Sequence, residues 1–170
     1  YDFGICKYEG IIRQNGDWPD HIKIEKGKLI RSLDIKLNNG NILNSVKFKL
    51  LIPHTRNYHN EILGTLITKG LGFIAPDTFE VFTEINGVKS IMLFQEKSEK
   101  ELLEKNKRVE GPIFEGDEEL LWQYKDFELF ALENVSLSKL LNKNWFNKGN
   151  MHQLITLKSF QRLQNAYLES

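Results

Sequence analysis

The stretch that decides the fold is TFEVFTEINGVKSIMLF, which runs from Thr78 to Phe94. Both of its halves are rich in β-branched and aromatic residues, and the dipeptide Asn86-Gly87 separates them. Asn-Gly is typical of a two-residue hairpin turn, because both positions of such a turn need a positive φ. We therefore expect an antiparallel hairpin of two strands, from Thr78 to Ile85 and from Val88 to Phe94.

A strand and a short helix precede this hairpin in the sequence. From Asn60 to Gly72, a capping Asn, apolar residues at helical spacing and a closing Gly predict a short packed helix. Before it, Ser45 to Ile52 predicts a strand that ends at Pro53, because proline cannot donate to a strand ladder. In this strand Lys47 and Lys49 share one face, and Val46, Phe48 and Leu50 share the other.

The residues nearer the N-terminus predict further strands. His21 to Lys26 and Leu29 to Leu37 alternate between polar and apolar residues on either side of Gly27. This period of two predicts two half-buried antiparallel strands. Tyr1 to Gly16 has a weaker pattern, and we interpret it as irregular structure or as an edge hairpin that turns at Asn15-Gly16.

A strongly charged segment follows the hairpin. Ser98 is placed to cap a helix from Glu99 to Lys107, and the pair Glu101 and Lys105 has the four-residue spacing that favours a solvated helix. Lys105, Lys107 and Arg108 form a basic cluster at the end of this segment. They are interpreted as part of a solvated face, and phosphate binding is the alternative.

The character of the chain changes beyond Trp122. Apolar residues at three- and four-residue spacings predict helices at Phe127–Leu132, Leu137–Leu141 and Met151–Tyr167, with Ser136 and Asn150 as candidate N-caps. Strands followed by helices indicate an α+β fold. We expect an antiparallel-sheet N-lobe with one packed helix over residues 1–97, a charged connection over 98–122, and a helical region over 123–170 that starts a C-lobe.

Composition limits the classes of function. The 170 residues carry 23 basic and 23 acidic side chains, so the charge balance does not support nucleic-acid binding. The single Cys6 excludes an internal disulfide, and the cysteine and histidines lack zinc-ligand spacing. The apolar runs are far shorter than the ~20 residues of a membrane span. Because the chain begins at Tyr1 without a signal-peptide pattern, we interpret it as an interior or processed piece.

The sequence contains no self-sufficient catalytic motif, so the candidates are individual residues. Lys49 has the setting of a strand lysine that contacts nucleotide phosphates, and Glu61 could pair with it. Each also has an ordinary explanation. Lys49 could simply be an exposed strand lysine. Glu61 could simply be an acidic residue that the helix dipole favours at a helix N-terminus. Gln95 and Glu96 lie at the end of the hairpin, which is the position of the hinge in a two-lobed kinase. The alternative is that they are only the end of a strand.

Two other polar stretches have open alternatives. The loop from Pro53 to His59 leads into a helix N-terminus, which can bind an anion, and it is also an ordinary connection. Asp117, Glu118 and Glu119 could ligate a hard cation through oxygen, but three acids before an apolar run equally begin a helix. We assign no metal site to them.

Five short motifs follow one another in the chain: Lys47-Phe48-Lys49, Arg56-Asn57 before a helix ending in Leu71-Gly72, Ala75-Pro76, Asn86-Gly87, and a strand finishing with Glu96-Lys97. Their succession resembles the CotH family, which is named for a spore-coat protein kinase with an atypical, kinase-like fold. A strand with a lysine, a helix, two strands and a hinge follow one another in the same order in a kinase N-lobe.

The resemblance implies ATP- and Mg-dependent phosphoryl transfer to protein hydroxyls, in an extracellular, cell-surface or spore-surface setting. It implies that Lys49 contacts nucleotide phosphates, that Glu61 orients Lys49, and that Gln95 and Glu96 line the adenine pocket. The family's catalytic and metal-binding acids have no identified counterpart before Ser170, so the catalytic residues stay unassigned. The alternative is a non-catalytic surface-assembly or interaction protein with a kinase-like fold and a protein partner. A carbohydrate hydrolase with paired carboxylates is a third, weaker reading.

Overall fold

The computed structural model describes residues 4–16, 21–25, 27–116 and 138–169. The chain divides into two compact units. The first consists of Tyr1–Lys97 with Glu101–Arg108, and the second consists of Ser98–Lys100 with Val109–Ser170. A mixed antiparallel sheet-and-helix architecture of this kind confirms the α+β class.

The first unit is built on a five-stranded antiparallel sheet with the order β1-β4-β5-β7-β6, and a separate two-stranded sheet pairs β2 with β3. Helix α1 joins β5 to β6, and helix α2 follows β7. The strands are β1 (Gly10–Gln14), β2 (Ile22–Glu25), β3 (Lys28–Arg31), β4 (Leu33–Leu37), β5 (Lys47–Leu51), β6 (Thr78–Ile85) and β7 (Val88–Glu96). The helices among its described residues include a 3-10 helix (Pro53–Arg56), α1 (Asn60–Gly70) and α2 (Lys100–Lys105).

The Asn86-Gly87 hairpin is confirmed. β6 and β7 pair from Thr78 opposite Gln95 to Ile85 opposite Val88. The turn residues have φ values of 51° and 74°, which is the positive-φ pair that a two-residue hairpin requires. The second strand runs to Glu96, two residues beyond the prediction, because β5 pairs with its last residues.

An aromatic cluster is buried on one face of the large sheet, and the fully buried Leu51 and Leu93 lie on the other face. The ring of Phe94 stacks between those of Phe48 and Phe79, with centroids 4.8 Å away on both sides. Ile35 and Leu37 from β4 complete this buried cluster. Since consecutive strand residues alternate between faces, Lys47, Lys49 and the other intervening residues lie on the opposite face.

Ser32 is where the chain passes from the small sheet to the large one. We expected a continuous strand from Leu29 to Leu37, and that prediction is wrong: β3 ends at Arg31, and β4 begins at Leu33. Ser32 is fully buried, its Oγ accepts a hydrogen bond from the backbone N–H of Ile52 at 3.1 Å, and its own N–H donates to His21. Alternation predicts which side chains are buried, but it does not specify which strand is the partner.

The N-terminal residues form an edge strand. β1 pairs with β4 along its whole length, from Gly10 opposite Leu37 to Gln14 opposite Leu33. The expected hairpin turn at Asn15-Gly16 therefore does not join β1 to its partner strand. Instead the N–H of Asn15 donates to the carbonyl of Ser32 at 2.8 Å.

Helix α1 starts at the predicted residue with a different cap. Its N-cap residue is His59, without a side-chain capping bond, and Asn60 is the first helical residue, so the predicted Asn cap is wrong. The helix contacts β6, while the apolar side chains of Leu63, Leu66 and Ile67 are each more than half exposed.

The charged segment forms a shorter helix than its sequence predicts. α2 covers six residues and buries Leu102. The expected ion pair of Glu101 and Lys105 is replaced, because Lys105 instead reaches Asp77, just before β6, and Glu96, the last residue of β7. Tertiary partners can override a pairing along the helix, which by itself is worth only a few tenths of a kcal/mol, about 0.2–0.5.

In residues 109–116 and 138–169, which are described residues of the second unit, a two-stranded sheet is combined with two helices. Leu137–Leu141 was predicted to be helical and is instead strand β9 (Ser138–Leu140), which pairs with β8 (Phe114–Gly116). Helix α3 is Lys143–Phe146, and α4 is Asn150–Leu168, which confirms the helix predicted at Met151–Tyr167. The N-cap of α4 is Gly149 rather than Asn150. The predicted helix at Phe127–Leu132 and the predicted cap at Ser136 lie outside the described residues.

Asn142 explains why β9 is a strand. Its buried side chain donates to the carbonyl of Gly111 at 2.7 Å and accepts from the N–H of Ile113 at 2.8 Å. These bonds tie the end of β9 to the segment that precedes β8. Apolar spacing over five residues cannot separate a strand from a helix turn, so the partner strand decides.

Among the described helices, none combines the length and the apolar character needed to cross a bilayer.

Two buried serines give a matched test of this packing. Replacing Ser32 by Ala leaves the buried N–H of Ile52 without its acceptor, so we expect the free energy of unfolding to fall by about 1–3 kcal/mol. The Oγ of Ser45 is buried and receives no hydrogen bond from the described residues. Ser45→Ala should therefore be neutral or stabilising.

Urea unfolding of the wild type and both variants measures the difference. Equal destabilisation by the two substitutions would contradict the role of Ser32 as the junction between the sheets.

Candidate functional site

The polar face of the large sheet brings three of the four predicted site residues together. On this face Lys49 in β5 lies directly opposite Gln95 in β7. Gln95 Nε2 donates to Oε1 of Glu61, the second residue of α1, at 2.5 Å. A strand lysine, a helix carboxylate and a hairpin amide thus meet at the centre of the sheet, as their order in the sequence suggests.

A row of charged residues extends from Lys49 to the sheet edge. Lys49 pairs in register with Asp34 of β4, and Asp34 pairs with Arg13 of β1. Side chains at directly paired positions share a face and lie about 4.5–5.5 Å apart at Cβ. Arg13, Asp34, Lys49 and Gln95 therefore form one continuous polar row across four strands.

A second row lies beside the first and is also basic. Ile11 pairs with Lys36, and Lys36 pairs with Lys47. At the end of this row the N–H of Lys97 donates to the carbonyl of Lys47, and Lys97 Nζ donates to Oδ2 of Asp34 at 2.7 Å. We call the two rows together the cationic face; its charged members are Arg13, Asp34, Lys36, Lys47, Lys49 and Lys97.

Glu96 lies on the other side of the sheet. Its neighbour Gln95 points to the cationic face, and so Glu96 points to the core face, opposite Phe48. Its side chain is 1% exposed, and Oε2 accepts from Lys105 Nζ at 2.9 Å and from the N–H of Asp77 at 3.1 Å. The structure therefore places Glu96 in an ion-pair network and separates it from Lys49, Glu61 and Gln95.

This network also shifts the pKa values of its members. Burial acts to raise the pKa of the Asp77 carboxyl, but hydrogen bonds and charge from Lys105 and Lys69 outweigh it and hold the pKa below its ordinary value. Burial acts to lower the pKa of Lys105, but its bonds to Asp77 and Glu96 outweigh burial and raise it. Both groups are therefore charged at neutral pH.

A groove lies beside the start of α1, where the loop from Pro53 to His59 was considered for anion binding. Its volume is about 580 Å³, and its lining includes Arg56, Asn57 and Glu61. The Nε of Arg56 is buried and donates to no described group. Asn57 and Tyr58 adopt the left-handed conformation, with φ of 48° and 57°, as the chain turns into the helix.

The described residues contain no group of three or more His, Cys, Asp or Glu side chains placed to hold a metal ion. Asp117, Glu118 and Glu119, which were considered as cation ligands, lie outside the described ranges.

The residues that the sequence interpretation missed are Arg13, Asp34 and Lys36. In β1 Arg13 follows the apolar Ile12, and in β4 Asp34 and Lys36 lie on either side of the apolar Ile35. That alternation was a usable signal for β4, where a half-buried strand was predicted. The signal was weak for β1, because its five residues at the sheet edge are all exposed and so their polar and apolar positions do not differ in burial.

The Lys105 network gives a stability prediction with a definite sign. Lys105→Ala leaves the buried Glu96 carboxylate without its cation, and breaking a buried ion pair typically costs 3–5 kcal/mol, so we expect a loss of roughly 3 kcal/mol at neutral pH. The control Lys89→Ala removes an exposed pair with Glu84 at 4.0 Å and should cost less than about 1 kcal/mol.

The pH dependence follows from the two shifts. Asp77 has a lowered pKa in the folded protein, so the stability that it contributes is lost as the pH falls through that pKa. Lys105 has a raised pKa in the folded protein, so the stability that it contributes is lost as the pH rises through that pKa. In Lys105→Ala, acid unfolding should begin at a higher pH than in the wild type. Identical acid profiles, measured by urea unfolding at several pH values, would contradict this account.

Neither models of known protein families nor curated protein sequences match this chain. The functional proposal therefore depends on the residues and on their arrangement in the fold.

Proposed function

We propose that the first unit is the nucleotide-binding lobe of a CotH-like atypical protein kinase, which transfers a phosphoryl group from Mg-ATP to protein hydroxyls. The observation that carries the proposal is the meeting of Lys49, Gln95 and Glu61 on one face of the sheet. In protein kinases a strand lysine holds the nucleotide phosphates and is oriented by a glutamate of the following helix.

The topology supports the same proposal. The helix lies between the lysine strand β5 and the hairpin β6-β7 in the sequence, and β7 is the neighbour of β5 in the sheet. This arrangement places Gln95 of the hairpin opposite the lysine and brings the helix glutamate to Gln95. A connection of a different length or a different strand order would separate them.

The charges of the site suit a nucleoside triphosphate. Lys49 and Arg13 lie in the same row, and an ammonium and a guanidinium are both good partners for phosphate oxygens. Mg²⁺ usually keeps several waters and needs only one or two carboxylates besides the substrate phosphates. Asp34, which lies in this row and binds Lys97, and Glu61, which binds Gln95, are described carboxylates that could serve in this way.

A second candidate function is a non-catalytic interaction protein with the same fold. The observation that favours it is the exposure of Leu63, Leu66 and Ile67 on α1. Exposed apolar side chains at three- and four-residue spacing on a helix are typical of protein-binding faces. In this alternative the partner is a protein, and the Lys49 row keeps only a structural role.

Titration with Mg-ATP separates the two functions. A ligand that binds only the folded protein raises its melting temperature, so the kinase proposal predicts a shift at millimolar Mg-ATP. Lys49→Ala should weaken nucleotide binding by about tenfold or more, since it removes a charge-assisted bond worth about 1.5–3 kcal/mol. Glu61→Gln should weaken it less, because Glu61 acts through its neighbours.

The matched control is Lys89→Ala, which removes a lysine near the hairpin turn, on the same strand as Gln95. Its nucleotide affinity should equal that of the wild type. A Lys49→Ala protein that melts like the wild type and binds Mg-ATP equally well would contradict the kinase proposal. The absence of any Mg-ATP shift in the wild type would favour the interaction protein.

A further inference from the structure

The edge of the five-stranded sheet at β6 is long and uninterrupted. β6 has eight residues, and all of them pair with β7 in unbroken register, so the strand contains no bulge. It contains neither lysine nor proline, which are common at protected sheet edges. In the described part of the chain, no strand pairs with its outer side. The opposite edge strand, β1, has only five residues and carries Arg13, so β6 is the less protected edge.

Alternate residues of β6 direct their backbone groups away from β7. In the hairpin turn the carbonyl of Ile85 accepts from the N–H of Val88, so these two residues form a hydrogen-bonded pair. Hydrogen-bonded and non-bonded pairs alternate along an antiparallel ladder. The N–H and C=O groups of Glu80, Phe82 and Glu84 therefore point to the open edge. These backbone groups have no hydrogen-bond partner among the described residues.

An exposed aromatic side chain lies in the middle of this edge. Phe82 is 92% exposed, although phenylalanine is among the residues most often buried. Ile91 of β7 lies directly opposite Phe82 on the same face and is 47% exposed, so the two form an apolar patch near the hairpin turn. His59, the N-cap of α1, binds Glu80 at 3.2 Å, and the patch lies beyond that contact, toward the turn.

Two carboxylates flank the aromatic ring. Glu80 and Glu84 lie two positions before and after Phe82, on the same face of the strand. Glu80 binds His59, and Glu84 binds Lys89 at 4.0 Å, with at least 42% of each of these side chains exposed. A carboxylate has about four lone-pair sites, so each can accept a further hydrogen bond from a cation while keeping its present partner.

The same carboxylates disfavour pairing of β6 with a second copy of itself. An antiparallel self-pairing that places Phe82 opposite Phe82 also places Glu80 opposite Glu84, and like charges at directly opposite positions are destabilising. The neighbouring registers place Phe82 opposite one of the two carboxylates, so the rings no longer meet. A strand with cations opposite the carboxylates and an apolar residue opposite the ring avoids both costs.

We propose that the open edge of β6 binds an extended segment of a partner protein, which adds to the sheet as a further strand. The segment carries an apolar side chain opposite Phe82 and a lysine or arginine two positions away on each side, opposite Glu80 and Glu84. Backbone hydrogen bonds give affinity, and the alternate side chains give specificity. The inference does not depend on the nucleotide site, because Phe82 lies four residues, or about 13 Å, beyond the position opposite Gln95.

Fluorescence anisotropy of labelled synthetic peptides with the full chain tests the proposal. The probe is Thr-Lys-Thr-Ile-Thr-Lys-Thr, which has the required spacing and strand-forming residues, and its counterpart has glutamate in place of both lysines. We expect the lysine peptide to bind about tenfold more tightly than the glutamate peptide, and Glu80→Lys/Glu84→Lys to reverse this preference. Equal binding of the two peptides to the wild type, or binding of neither, would overturn the proposal.

Matched controls separate this edge from the rest of the surface. Phe82→Ala should weaken binding of the lysine peptide by about tenfold, because the ring no longer supplies apolar area to bury. Phe73→Ala removes a ring that is 66% exposed outside β6, and Glu9→Lys/Glu104→Lys reverses two exposed acids outside it. Both controls should bind like the wild type, and all variants should melt like it because they change exposed side chains. Equal weakening by a β6 variant and its control would show non-specific attraction and overturn the proposal.

Amide hydrogen exchange distinguishes an added strand from contact between side chains alone. Strand addition should protect the outward N–H groups of Phe82 and Glu84, whereas those of Val81 and Thr83 already bond to β7 and should change little. Peptide binding without protection at Phe82 would overturn the proposal. A dimer of the free chain in sedimentation, lost in Phe82→Ala, would also overturn it, in favour of a second copy.

The Mg-ATP titration separates this inference from the kinase proposal. Binding of the lysine peptide without any Mg-ATP shift would support the inference and count against the kinase proposal. An Mg-ATP shift without peptide binding would overturn the inference and leave the kinase proposal standing.

Discussion

The pairing of β5 with β7 is the interaction on which the rest of the first unit depends. It places Leu50 opposite Phe94 and so builds the stacked rings of the core. The same register places Lys49 opposite Gln95 on the other face. Because the side chains of a strand alternate, a shift of one residue would place the lysine on the face of the aromatic cluster and the phenyl ring on the face of Gln95. Core packing therefore positions the candidate site.

A second constraint ties the connection after β7 to the sheet. Glu96 is buried beside the aromatic core, and a buried carboxylate is tolerated only with close partners. Lys105 from α2 supplies the charge, and the N–H of Asp77 supplies a further hydrogen bond. The short charged helix is thus anchored from its C-terminal end, and Gln95, one residue before Glu96, is held in place for Glu61.

Local signals predicted the elements that depend on neighbouring residues. The Asn86-Gly87 turn, the strand that ends before Pro53 and the helix that begins at Asn60 all follow from residues adjacent to them. Predictions failed where a distant partner decides the structure. Ser32 interrupts an alternating run because Ile52 and His21 bind it, and Ser138–Leu140 is a strand because it pairs with Phe114–Gly116. Three of the four residues named for the site meet, whereas Glu96 points away because strand positions alternate.

The sequence by itself determined the α+β class, the hairpin, and the identity of Lys49 and Glu61 as candidate residues, since turn chemistry and periodicity are local properties of the chain. Only the tertiary structure decided that β1 and β4 lie beside β5, with Arg13, Asp34 and Lys36 in register with its lysines. The physical reason is that strand order and register come from the packing of side chains on the core face. The accumulation of charge on the opposite face is a consequence of that packing.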